Sequence, residues 1–152
     1  MNIVFLDIDG PMKPARLYFD TSVQVCGGGF DRVSVAVVNR LCDRCDAAIV
    51  FNTTWNMMRD PDIVEIARKE GITATILGRT NYPKTESRLN AITDWIKTHP
   101  AVQAEKWVAL DDARIDHENA VRVNPEYGIG ISDYNSAAKI LGYPDERALV
   151  LL

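Results

Sequence analysis

Asp7 and Asp9 stand two residues apart where an apolar run over 2–6 gives out, and Asp111-Asp112 closes a second apolar run over 107–110. Residues two apart on an extended chain face the same way, so Asp7 and Asp9 would present two carboxylates at one mouth. Such a pair repels unless a proton or a cation lies between its members. With Asp111 and Asp112 added, the hard oxygen set suits Mg²⁺, which keeps waters and takes substrate phosphate. An aspartate can also be a nucleophile that carries a phosphoryl group, and a second can protonate the leaving oxygen and then activate water. A third apolar run, 47–51, ends in Asn52-Thr53-Thr54, where the Thr53 hydroxyl can donate to a phosphoryl oxygen. A basic side chain at a helix start would neutralise the remaining charge.

Each group has a plainer reading. The first acids could be solvated turn residues, the threonines strand-end caps, and Asp111-Asp112 an N-cap pair for a helix over 113–118. Arg88 could be an exposed helix arginine and Lys84 a solvated loop lysine. Trp55, Trp95 and Trp107 read first as packing residues, although Trp55 is close enough to the threonines to wall a pocket.

The elements that must position these groups follow from apolar periodicity and punctuation. Short runs rich in β-formers predict strands over 2–6, 47–51, 72–77 and 107–110, with a short one at 120–123. Asp31 is placed to cap a helix over 32–46, and Pro61 to start one across 62–69 that Gly71 stops. A third helix is expected over 85–98, and a fourth from a Ser132 cap to Leu141. Residues 10–30, with two prolines and four glycines, read as a loop or small hairpin. The tail 148–152 reads as a last strand or a packed extension. Strands alternating with helices argue for an α/β, Rossmann-like three-layer sandwich with a mostly parallel central sheet. In such sheets ligands bind beyond the carboxyl ends of the strands, where the unusual acids and threonines converge.

Composition agrees with one domain over 1–152: the chain is 47% hydrophobic and 25% charged. A net charge of −4 argues against nucleic-acid binding through bulk charge, leaving a local basic groove open. No run approaches 18 apolar residues, so no membrane association is expected. The acidic start does not read as a signal peptide. With three cysteines, Cys26, Cys42 and Cys45, that points to free thiols and a cytoplasmic location. The Cys42–Cys45 spacing falls in a predicted helix and reads as two small residues near a core face.

Asp7-Ile8-Asp9-Gly10 after an apolar strand resembles the first motif of haloacid dehalogenase-like (HAD) phosphatases. Thr53 resembles their second motif and Asp111-Asp112 their fourth, in the same order across about 105 residues. The Thr-Thr-Trp after the second strand, the Arg88-x-x-x-Ile92-x-x-Trp95 helix, the Leu-Asp-Asp end and Asn124-Pro125-x-x-Gly128-Ile129 are similar to small HAD domains of bacterial and phage proteins. Some of those are associated with RNA-repair polypeptides.

The resemblance implies a Mg²⁺-dependent phosphatase. Asp7 would be the nucleophile and a metal ligand. Asp9 would be the general acid/base and bind metal through its carbonyl. Thr53 would bind the phosphoryl group, with Gly10, Asn52 and Thr54 around it, and Asp111 and Asp112 would complete the metal site. For the basic third motif, Lys84 has the usual type but lies 27 positions before Asp111. Arg88 lies 23 before it, opens the shared helix and is favoured.

Two departures stand out: Pro11 where the family usually has Thr or Val, removing an N–H from the loop, and the polar Asn52 before Thr53. Neither cap insertion point, 10–30 or 54–88, is long enough for a cap domain, so the site is expected to be open, with the glycine-rich loop as a small flap. The substrate class stays open among a nucleotide or polynucleotide end, a phosphoprotein and a small phosphoester, and the oligomeric state is not specified. The competing reading is a catalytically inactive module of the same fold that binds a phosphorylated ligand or partner.

Overall fold

In the computed structural model, residues 1–19 and 29–145 are described. Five strands form one all-parallel sheet in the order β3-β2-β1-β4-β5: β1 Asn2–Leu6, β2 Ala47–Phe51, β3 Ile76–Arg79, β4 Trp107–Asp111 and β5 Ala120–Arg122. β1 lies at the centre, paired with β2 from Asn2↔Ala47 to Leu6↔Phe51 and with β4 from Ile3↔Trp107 to Leu6↔Leu110. The ends of these three strands therefore lie level, with Asp7 next to the end of β4 through Asp7 N–H donating to the Leu110 carbonyl.

Period-2 alternation splits the core in two. Val4 and Leu6 of β1 join a large cluster with α1 (Arg32–Arg44), α2 (Ile63–Lys69) and α4 (Ile131–Ile140). Ile3 and Phe5 face the other way and pack with Val50, Ala109, Ile92 and Trp95, the last two from α3 (Arg88–Thr98). Phe5 meets the Trp95 and Trp107 rings edge-on, each at 5.8 Å. This is the expected three-layer Rossmann-like sandwich, and no large cap interrupts the described residues.

Several boundaries differ from expectation. α1 ends at Arg44 with Cys45 as C-cap, because Asp46 turns left-handed at φ +47°. α2 starts at Ile63, with the Asp62 carboxylate capping Glu65 N–H rather than lying inside the helix. The third strand falls at Ile76–Arg79, not 72–77. Ile72 N–H still donates to the Ala67 carbonyl at the end of α2, and Leu77 is an extra residue between the pairs Ile49↔Ile76 and Val50↔Gly78. α3 starts at Arg88, capped by Ser87 Oγ accepting Asn90 N–H, so Thr85 and Glu86 belong to the loop.

The Ser132 cap is also corrected. Ser132 lies in the first turn of α4, whose N-cap is Gly130 with its N–H donated to the Asp133 carboxylate. Residues 113–118 are not helical. The predicted loop contains a 3₁₀ turn at Ala15–Phe19. The rest of that loop, with Cys26, lies largely outside the described residues, as does the tail 148–152. Cys42 and Cys45 are free and buried, and burial pushes their thiols up to about 12 and about 11, which makes them inert core groups.

Candidate active site

Asp7 extends β1 by one residue and Asp111 ends β4, so parallel pairing of the two strands sets their side chains together. Asp7, Asp111 and Asp112 each offer a carboxylate oxygen within 4.8 Å of the others. Asp7 and Asp111 are almost fully buried. Arg88, the first residue of α3, reaches into this group. Its Nη1 donates to Asp111 Oδ2 at 2.7 Å and to the Asn52 carbonyl at 3.3 Å, and lies 3.5 Å from Asp7 Oδ1. Its guanidinium also stacks over the Tyr82 ring, 4.5 Å from the centroid.

Burial, then the charge of Asp111, pushes the Asp7 carboxyl up to about 8, with Arg88 opposing. Asp111 is raised by burial first, again against Arg88. For Arg88 burial works against the charge, but Asp7 and Asp111 outweigh it and hold the guanidinium protonated. Three carboxylates and one arginine would sum to −2 if all ionised, so a divalent cation would neutralise the group. The donors are hard oxygens converging at close range, and Mg²⁺ fits such a set.

Asp9 sits apart from this cluster. Its exposed carboxylate accepts the Trp55 indole N–H at 3.0 Å. The Lys13 ammonium lies 5.3 Å from the centroid of the Trp55 ring, and Phe30 meets that ring edge-on at 6.2 Å. Trp55 thus packs against the core, as read from the sequence, and its indole N–H also holds Asp9. Thr53 is fully buried and caps a 3₁₀ turn over Thr54–Met57, its Oγ1 accepting Trp55 N–H at 3.3 Å and leaving its own O–H to donate. Thr54 is exposed.

The structure gives Asn52 a positioning task. Its Oδ1 accepts the Thr80 hydroxyl at 2.7 Å and its Nδ2 donates to the Arg88 carbonyl at 3.4 Å, tying β2, the β3 end and α3 together. Lys84 is exposed and lines a neighbouring pocket, whereas Arg88 stands among the acids. Asp111 Oδ1 accepts Ala113 N–H at 2.8 Å, which turns the chain after β4 without starting a helix.

Gly10 lies at φ +97°, and a Cβ there would be 2.7 Å from Asp112 Cγ. The absence of a side chain lets the turn after β1 press against Asp112. That turn does not need an N–H from Pro11, since Met12 and Lys13 both donate to the Ile8 carbonyl at 2.9 Å. The Pro11 carbonyl accepts Ile129 N–H, while Pro125 and Glu126 carbonyls accept Ala15 and Arg16 N–H. The Asn124–Ile129 stretch is therefore a clasp on the loop after β1. The stacking of Tyr82 on Arg88 and of Lys13 on Trp55 was not foreseen, because neither pair shares a spacing in sequence.

A family model described as the HAD domain in Swiss Army Knife RNA repair proteins matches residues 3–134. No curated protein and no solved structure matches the chain.

Proposed function

The chain belongs to the family of HAD domains in Swiss Army Knife RNA repair proteins, and from that premise we propose that it is a Mg²⁺-dependent phosphomonoester hydrolase with an open site. The observation that carries this reading is the convergence of Asp7, Asp111 and Asp112 within 4.8 Å around the Arg88 guanidinium. Asp7, Asp111, Asp112 and the Asp9 carbonyl would hold Mg²⁺, which when bound screens the acids from the substrate's phosphate.

In the reaction, an Asp7 carboxylate oxygen attacks the phosphorus and the bond to the leaving oxygen breaks. Asp9, held by Trp55, gives that oxygen its proton. The aspartyl-phosphate on Asp7, an acyl phosphate, is then cleaved at phosphorus by water whose proton Asp9 takes back, releasing inorganic phosphate and restoring Asp7. Arg88 neutralises charge at the transferring group and the Thr53 hydroxyl donates to one of its oxygens. The family's association with RNA repair supports a phosphorylated polynucleotide end as the substrate.

The test is hydrolysis of an aryl phosphate by the wild type and Asp7→Asn, with Mg²⁺ and with EDTA. Turnover should need Mg²⁺ and fall by roughly three orders of magnitude or more in the variant. Undiminished turnover by Asp7→Asn would overturn the nucleophile assignment. A wild type that binds phosphorylated RNA without hydrolysing any phosphoester would establish the inactive-module reading instead.

A further inference from the structure

Beside the acid cluster, at the carboxyl end of β3, lies a pocket of about 290 Å³ lined by Arg59, Arg79, Lys84, Asn56, Thr80 and Tyr82, among others. No acid lines it, and among the described residues none of its three cations is ion-paired. Arg79, one of the lining residues, has a guanidinium nitrogen, Nη1, buried without a hydrogen-bond partner. A guanidinium nitrogen withdrawn from water without an acceptor is costly, and Arg79 would gain one by turning that nitrogen toward an anion in the pocket.

The floor is firm: Asn56 Nδ2 donates to the Phe51, Thr80 and Tyr82 carbonyls at 3.1, 3.3 and 3.2 Å. The wall is shared with the active site. Thr80 bonds to Asn52, which holds the Arg88 carbonyl, and the Tyr82 ring carries the Arg88 guanidinium that meets Asp111. Arginine forks match phosphate oxygens, and a lysine at the rim adds a point charge.

We propose that this pocket binds a second phosphate of the substrate, the phosphodiester next to the scissile monoester of a polynucleotide end; this rests on the phosphohydrolase reading above. The chain's net charge of −4 makes three unpaired cations in one pocket a local device, not a consequence of bulk charge.

The experiment measures anisotropy of a fluorescein-labelled 12-nucleotide RNA with hydroxyl ends, which offers diesters and nothing to hydrolyse. Against the wild type, Arg59→Gln/Arg79→Gln/Lys84→Gln should weaken binding by about tenfold or more and flatten its salt dependence. Lys69→Gln/Lys97→Gln/Lys139→Gln, equal in charge and exposed elsewhere, should change affinity by less than about threefold. Equal losses in the two triple variants, or no RNA binding by the wild type, would overturn the proposal. So would calorimetry showing that the pocket takes inorganic phosphate while RNA ignores it. If the pocket triple variant does not melt cooperatively, Lys84→Gln alone carries the test, with an expected loss of about threefold. Aryl phosphate hydrolysis by the wild type is read separately. Absence of hydrolysis of aryl phosphate and of end-phosphorylated RNA alike, beside pocket-dependent RNA binding, would remove the phosphohydrolase reading and leave the phosphate pocket standing. Turnover with pocket-independent RNA binding would do the reverse.

Discussion

Arg88 is the residue on which the charge balance of the site turns. It is half-buried, donates to Asp111 at 2.7 Å and is the cation nearest Asp7 among the described residues. On the proposed mechanism, Arg88→Ala should lower kcat/KM for an aryl phosphate by about a hundredfold or more, the cost of losing the charge assigned to the transferring group. The same change should lower the Mg²⁺ concentration needed for half-maximal rate, because the acids would no longer share their charge with a guanidinium. Arg88→Lys should recover only part of the rate, since an ammonium cannot keep both the Asp111 bond and the Tyr82 stack. Residue type alone pointed to Lys84, while the 23-residue separation from Asp111 and the Ile92/Trp95 pattern of the helix that Arg88 opens argued the other way. The contact itself joins the start of α3 to the end of β4, which no local rule evaluates.

At the scale of elements, the strands that carry the site were readable because each ends abruptly. β1, β2 and β4 are fully or almost fully buried apolar runs that stop at a polar group, and both signals coincide at Asp7, Asn52 and Asp111. β3 was misplaced because it is an edge strand with a half-exposed pattern, an inserted Leu77 and a glycine inside it. Its pairing is supplied by β2, not by its own hydrophobicity. The α4 start was missed because the cap is a backbone N–H held by Asp133, one turn into the helix.

The turn after β1 yields a further expectation. Gly10→Ala would force a Cβ to within 2.7 Å of Asp112 Cγ at a φ that L-residues rarely adopt. The variant should still fold, but Asp112 must shift. Its apparent Mg²⁺ affinity, read from rate against Mg²⁺ concentration, should weaken by about tenfold.

For the whole molecule, the acids couple stability to pH. Asp7 has a folded pKa of about 8 against 3.8 for a free aspartate, so the folded chain binds a proton that the unfolded chain gives up. Below about pH 4 the group is neutral in both states. Between pH 4 and 8 the stability of the metal-free protein falls as pH rises. Asp145 has the opposite sign. The Tyr134 hydroxyl, then Arg40, hold it down to about 2, so its contribution is complete above about pH 4 and constant across the same window. Melting curves with Mg²⁺ and with EDTA should therefore show a larger Mg²⁺-induced rise in Tm at pH 8 than at pH 5. An equal rise at both would mean that the cation binds away from Asp7.

The central pairing of β1 with β4 also sets an order in time. Asp7 leaves the ribosome about a hundred residues ahead of its neighbours Asp111 and Asp112. β1 and β2 can pair early, while the cluster of Asp7, Asp111 and Asp112 waits for β4 to dock along the other side of β1. A nascent chain would thus bring these acids together only once β4 has emerged, after elements of all three layers are already present.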